Sequence, residues 1–218
     1  MLVGRRMRTS LITVTKDATL AQARELLHSH RIRHLPVVEE DRLVGILTDR
    51  DIRQASPSST AGISPDRTSA FLAQIPVRGA MVRDVRTVSP YTTIEEAARL
   101  MIEHKIGCLP VTEENRLVGI ITETDILGVF VDVMGISEPS TRIELTVPDR
   151  PGALADVTQI IKAHQVNISS IVTMSHEEPG KRLAIIRLKT MNPKPILKDL
   201  TAAGFEPPPL PQGKRPVD

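Results

Sequence analysis

Two tetrads of the form Thr-x-x-Asp, Thr48 to Asp51 and Thr122 to Asp125, carry the side chains of this chain best suited to chemistry. Each stands at the end of an apolar run and at the start of a helical pattern. There the hydroxyl and the carboxylate can form a capping box, satisfying N–H groups that a first helical turn leaves without partners. The same place attracts anions, because free N–H groups and the positive end of the helix dipole point outward. Capping and ligand binding are compatible, and the tetrads alone do not choose between them. Arg50, inside the first tetrad, offers a guanidinium suited to phosphate or to solvent. Thr13 and Thr87 each precede a strand valine, and His34 and Cys108 each stand two residues before a proline. His28, His30 and His34 with Cys108 raise the question of a metal. They spread over a helix end and a strand, with no carboxylate or second cysteine to complete a tetrahedron, so no metal site is expected. The G-x-x-x-x-G-K-[ST], G-x-S-x-G and H-E-x-x-H runs do not occur, so neither catalytic residues nor a catalytic cofactor are expected.

Both tetrads belong to a larger repetition. Val3 to Ile52 recurs without a gap as Val77 to Ile126, with Met7 falling on Met81 and Leu35-Pro36-Val37 on Leu109-Pro110-Val111. Arg42 to Thr48 is answered by Arg116 to Thr122. A unit that recurs whole needs its copy to bury an apolar face. Two copies about a two-fold axis line a cleft twice with the same side chains, which points to paired ligand sites. Where the copies differ, the sites differ: Arg33 is answered by Gly107, His34 by Cys108 and Arg50 by Thr124.

Each copy reads as strand, helix, strand, strand, helix. Leu11 to Thr15 is the expected first strand. Thr19-x-x-Gln22 and Thr93-x-x-Glu96 fit capping boxes, followed by the apolar helical faces Leu20, Ala23, Leu26, Leu27 and Ile94, Ala97, Met101, Ile102. Leu35 to Val38 and Leu43 to Thr48 form a hairpin around Glu39-Glu40-Asp41, repeated as Leu109 to Thr112 and Leu117 to Thr122. Gly45 and Gly119, inside strands, mark a bulge or a close backbone approach. Ser56 to Ser64 reads as a loop, and Asp66 to Gln74 as a helix leading into the second copy.

A second domain follows. Arg142 to Val147 alternates as a half-buried strand, and Pro148 to Gly152 is a tight turn. The next helix has Leu154, Val157, Ile160 and Ile161 on one side. Asn167 to Ser175 and Leu183 to Thr190 are strands. Pro193 to Ala203 is a helix with Ile196, Leu197 and Leu200 inward, stopped by Gly204. This is the split βαβ order. Phe205-Glu206 runs into Pro207-Pro208-Pro209, so a closing strand has almost no room.

Composition narrows the class. With 40% hydrophobic and 25% charged residues, the chain is an ordinary globular protein. Phe71, Tyr91, Phe130 and Phe205 are its only aromatics, too few to stack single-stranded nucleic acid, and no helix-turn-helix signature accompanies them. The formal charge of +2 is nearly balanced, although Arg5, Arg6, Arg8, Arg31, Arg33, Arg50 and Arg53 gather early, as a solvated surface or an anion-binding face. One cysteine fits a reducing cytoplasm. The sequence has no apolar run of membrane-spanning length and no signal-peptide core.

The doubled pattern V-x-x-x-M, T-V, L-P-V, L-V-G-I-[LI]-T-x-x-D-I resembles a tandem pair of CBS domains, a Bateman module. Leu145 to Val157 with Val166-Asn167-Ile168 resembles an ACT domain. The order and length are similar to bacterial acetoin-utilisation proteins. The resemblance implies an α/β (α+β) architecture: two CBS βαββα repeats at 1–60 and 61–136, a ferredoxin-like ACT domain at 140–206, and a flexible tail at 207–218. It implies a regulatory sensor rather than an enzyme or a transcriptional accessory protein. In it Asp51 and Asp125 would take ribose hydroxyls of an adenine nucleotide, Thr48 and Thr122 phosphate, and Thr13, Thr87, His34 and Cys108 would border the cleft. Asp149, Gly152 and Asn167 match positions where ACT domains bind small amino acids between subunits. A homodimer is expected, from helical apolar faces that one internal partner cannot cover. A regulated protein partner is expected too; its identity and that of the nucleotide are not legible.

Overall fold

In the computed structural model residues 1–56 and 65–208 are described; the expected loop at 57–64 and the tail from 209 lie outside the described residues. The chain divides into two compact units, Met1–Leu127 and Gly128–Asp218.

The first unit holds the first repeat and the second as far as Leu127, inside its last helix. The first contributes α1 (Leu20–Ser29), β1 (His34–Glu39), β2 (Arg42–Thr48) and α2 (Asp49–Ala55), and α3 (Pro65–Leu72) leads onward. The second repeats the pattern as α4 (Ile94–His104), β3 (Cys108–Glu113), β4 (Arg116–Thr122) and α5 (Glu123–Val133). Each hairpin closes on two residues with left-handed backbone, Glu40 and Asp41 (φ 48° and 65°) and Glu114 and Asn115 (φ 48° and 67°). Such turns match the right-handed twist of the strands. The sheet runs β1-β2-β4-β3, and across its middle Arg42 pairs with its own counterpart, Arg116. Pairing of equivalent residues is what an internal two-fold axis requires.

Each repeat sends its opening segment to the other. Arg8 and Ile120 of β4 exchange backbone hydrogen bonds at 2.9 and 3.0 Å, and Val82 and Ile46 of β2 do so at 2.9 Å. Val3 donates to Thr92 O and Val77 to Ala18 O, both at 2.8 Å. Both valines are fully buried, and Val77 and Leu72 belong to the same apolar cluster as Leu20, Leu27, Leu35, Leu47 and Ile52 of the first repeat. Burying such a side chain contributes about 1.5–3 kcal/mol, so neither repeat is complete alone.

This exchange also explains a departure from expectation. Leu11 to Thr15 forms no strand; only Val14 bridges, in parallel, to Val37. Just beyond it, Lys16 O and Ala18 O accept from Arg78 and Val77 of the incoming segment, so the pairing does not continue from Val14 toward α1. Two further expectations need correction. Thr93 caps α4 through Glu96 N, but the Glu96 carboxylate turns to Arg99 at 2.8 and 2.9 Å and does not close the box. Ile102 is 79% exposed instead of facing inward, whereas Ile94, Ala97 and Met101 are buried. Together with Leu20, Ala23 and Leu27 those residues are covered within the chain, so these helical faces do not call for a second copy.

The second unit contains β5 (Thr141–Pro148), α6 (Ala153–Ala163), β6 (Ile168–Ser175), β7 (Lys181–Leu188) and α7 (Lys194–Ala202). Its antiparallel sheet, β5-β7-β6, packs Ile143, Leu145 and Ile186 against Val157, Ile161, Ile196 and Leu200. Leu154 lies at the exposed edge of this helix face. Gly204, at φ 88°, ends α7 as expected. The closing strand shrinks to one hydrogen bond, Thr146 N to Glu206 O at 2.8 Å, with Phe205 buried beside it.

Candidate functional site

Both tetrads form capping boxes. Asp51 Oδ2 accepts from Thr48 N (2.8 Å) and Thr48 Oγ1 (2.7 Å), and Asp51 N donates back to Oγ1 at 3.2 Å. Asp125 Oδ2 accepts from Thr122 N (2.9 Å) and Oγ1 (2.6 Å), with Asp125 N returning at 3.3 Å. The cap uses one oxygen of each carboxylate and leaves the other for something else. At Asp125 that something is present: Arg8 Nε and Nη2 both donate to Oδ1, at 3.2 and 3.1 Å. At Asp51 no hydrogen bond reaches Oδ1 from the described residues.

Arg8 opens onto a cleft of about 270 Å³ drawn from both repeats. The first supplies Arg8, Ser10, Leu11, Ile12, Arg31, Ile32, Arg33, His34 and Pro36; β4 and the start of α5 supply Ile120, Thr122 and Thr124. The segment after α1 reaches the cleft because Arg31 adopts a left-handed φ of 52°. Arg31 N then bonds His28 O and Ile32 N bonds Leu27 O, the Schellman pattern that turns a chain out of its helix.

Of the residues singled out in the sequence, His34 and Thr122 line this cleft, and Asp125 joins it through Thr122 and Arg8. Thr13, Thr48, Arg50, Asp51, Thr87 and Cys108 do not line it. By the internal two-fold, Thr48 and Asp51 correspond to Thr122 and Asp125 at the twin position. Ser10, Ile12 and Ile32 went unmarked in the sequence. The early arginines Arg8, Arg31 and Arg33 were visible there as a charge cluster, and the fold makes three of them neighbours of one cleft.

His34 and Cys108, equivalent by repeat, meet different surroundings. A Cβ on Gly107 would lie 3.2 Å from His34 Nε2 and 3.4 Å from Glu123 Oε2, so the imidazole crosses into space that the second repeat leaves open. Burial, then the charge of Arg33, hold the His34 pKa below its ordinary 6.5 against the opposing pull of Glu123 and Asp51. Burial, with Glu123 adding, pushes the Cys108 thiol up to about 12. Among the described residues no group of three or more His, Cys, Asp or Glu side chains is placed to hold a metal ion, and no helix is long and apolar enough to cross a membrane.

In the second unit a cleft of about 310 Å³ is lined by residues including Asp149, Arg150, Gly152, Thr173 and Arg182. Gly152 is the N-cap of α6, at φ 85°. The Asp149 carboxylate lies 4.0 Å from Arg182. Asn167 sits at the opposite end of the sheet, its carbonyl accepting from Lys189 N. One chain alone therefore does not bring Asn167 to Asp149 and Gly152.

The CBS domain profile matches residues 3–58 and 77–132, and the ACT domain profile residues 141–205. A CBS domain-containing protein of Dictyostelium discoideum is 35% identical over 136 residues, 62% of this chain and 94% of that protein. The crystal structure of a candidate acetoin utilization protein (AcuB) from Vibrio cholerae shares 32% identity at a TM-score of 0.52, covering 64% of this chain and 98% of that one. The CBS pair of protein MJ0100, crystallised with 5′-methylthioadenosine and S-adenosyl-L-methionine, shares 30% identity at a TM-score of 0.50, covering 60% and 95%.

Proposed function

The chain belongs to the CBS-domain family and carries an ACT domain behind its repeat pair, and from that premise we propose a non-enzymatic regulatory sensor for an adenine nucleotide of the AMP, ADP or ATP type. The observation that carries the reading is the composition of the cleft. Ile12, Pro36 and Ile120 offer apolar surface to a flat base, Arg8, Arg31 and Arg33 offer charge to phosphate, and the Thr122–Asp125 box stands beside them. The adenosine-bearing ligands of the MJ0100 pair support it. In this reading Asp125 and Asp51 each take ribose hydroxyls, Thr122, Thr48 and Arg50 face phosphate, and Thr13, Thr87, His34 and Cys108 border the two sites. A small amino acid is the proposed second ligand, held by Asp149 and Gly152 with Asn167 supplied by another subunit. Ligand energy shifts the populations of two arrangements, which a partner protein reads; the likeness to AcuB makes acetoin metabolism the proposed setting. The cytoplasm is the proposed compartment, where Cys108 stays reduced.

Calorimetric titration with AMP and ATP tests the reading. Asp51→Ala and Asp125→Ala should each remove one site, because losing hydrogen bonds to a charged group costs about 1.5–3 kcal/mol, at least tenfold in affinity. Each also loses a cap worth about 1 kcal/mol of stability, so stability alone does not discriminate. A parent protein that binds no adenine nucleotide leaves both tetrads as helix caps and sinks the proposal.

A further inference from the structure

The ion pair between Arg8 and Asp125 occupies the carboxylate oxygen that a ribose would need. Arg8 is 57% exposed and Asp125 13%, so the guanidinium reaches in from the solvent side and covers a nearly buried acceptor. Both its donors converge on Oδ1, while Oδ2 is committed to the helix cap. The Arg8 backbone is fixed by its exchange with Ile120, so only the side chain is free to move. The pair is also confined to one cleft. Val82 stands in the second repeat where Arg8 stands in the first, and Asp51 Oδ1 meets no corresponding guanidinium.

We propose that Arg8 is a specificity-determining residue that makes the Asp125 cleft select adenine nucleosides bearing a 5′-phosphate over those without one. The inference rests on the nucleotide reading of the same cleft. A nucleotide entering there gives Asp125 its ribose hydroxyls and gives the displaced Arg8 a phosphate, so one ion pair is exchanged for another. A neutral nucleoside breaks the pair and leaves Arg8 with water. Arg31 and Arg33 attract phosphate too, but neither bonds Asp125, so only Arg8 couples the ribose contact to the phosphate contact.

The test is titration of the parent and of Arg8→Gln with AMP and with 5′-methylthioadenosine. The parent should prefer AMP. In Arg8→Gln, AMP should weaken by about twofold to a hundredfold, the loss of the charge-assisted bond to phosphate outweighing the ion pair that no longer has to break. Methylthioadenosine should tighten by up to about fivefold, since an exposed ion pair worth about 0.2–1 kcal/mol no longer has to break. Arg8→Lys, which keeps the charge, should keep most of the preference. Opposite movements of the two ligands support the exchange; a merely structural role for Arg8 would weaken both alike, and that result overturns it. If the parent binds neither ligand, the nucleotide reading itself fails, an outcome distinct from binding of both with an unchanged ratio.

Discussion

Gly119 of β4 is where the docking of one repeat's opening segment on the other can be tested most directly. A Cβ at this position would lie 2.5 Å from Met7 Sδ, 3.0 Å from Met7 Cγ and 3.2 Å from Arg8 O. The sulfur is mid-chain and Arg8 O is held by Ile120 N at 3.0 Å, so neither neighbour can yield without loosening the bridge. Overpacking of this kind costs about 1–3 kcal/mol. Replacing glycine returns about 0.4–1 kcal/mol through the narrower unfolded ensemble. At 2.5 Å the clash belongs to the upper part of the overpacking range, about 2–3 kcal/mol, so Gly119→Ala should destabilise by about 1–2.6 kcal/mol, a fall in Tm of about 3–10 °C for a unit of this size. Circular dichroism during thermal and urea unfolding measures it. Adding Met7→Ala removes the obstructing sulfur, so the double variant should be more stable than the sum of the two single losses. Independent contacts add to within about 0.5 kcal/mol. Additivity on that scale, or a Gly119→Ala protein as stable as the parent, would refute the claim that this glycine exists for close approach.

Three other outcomes follow from the same structure. The unfolded chain protonates His34 more readily than the folded one, so this contribution to stability is complete above about pH 6.5 and is lost as pH falls through the lower folded pKa; urea midpoints of His34→Gln should show less loss between pH 7 and 5 than the parent, and parallel curves would contradict it. With its thiol raised from 9.0 to about 12, Cys108 holds on the order of a thousandfold less thiolate than a free cysteine, so iodoacetamide should label the native protein far more slowly than the urea-unfolded one. Leu127, Phe130 and Val131 of α5 are exposed at helical spacing and would be the apolar seam of the homodimer expected from the sequence, so light scattering should report a dimer for the parent and a monomer for Phe130→Glu; a monomeric parent would refute it.

The repeat was legible because identical spacing in two stretches demands one local structure twice. Capping residues at Thr19, Thr48 and Thr122, and turn residues at Glu40-Asp41 and Glu114-Asn115, placed most element boundaries to within a residue or two. Long-range facts were not legible. The alternation at Leu11 to Thr15 looks like a strand, yet whether a strand forms depends on which backbone groups arrive beside it. Here a segment some sixty residues later, Val77-Arg78, takes the neighbouring carbonyls. Ile102 sits at a helical spacing that admits either face, and only the packing around α4 decides that it points to solvent.

The site shows the same division between local and distant information. Thr-x-x-Asp before a helical pattern points to a helix start directly and to a ligand only by context, because one carboxylate oxygen satisfies the cap and the sequence is silent about the other. The fold answers that question differently at the two positions. Arg8 follows the Val-x-x-x-Met motif of the first repeat as Val82 follows that of the second. Crossing the internal axis delivers one to Asp125 and bridges the other to Ile46, two residues before the Thr48–Asp51 tetrad. A repeat comparison restricted to the tetrads finds two equal carboxylates. Extended to the residues that the partner repeat supplies, it finds Asp125 paired with Arg8 and Asp51 without a corresponding guanidinium, so the two proposed sites need not share a ligand.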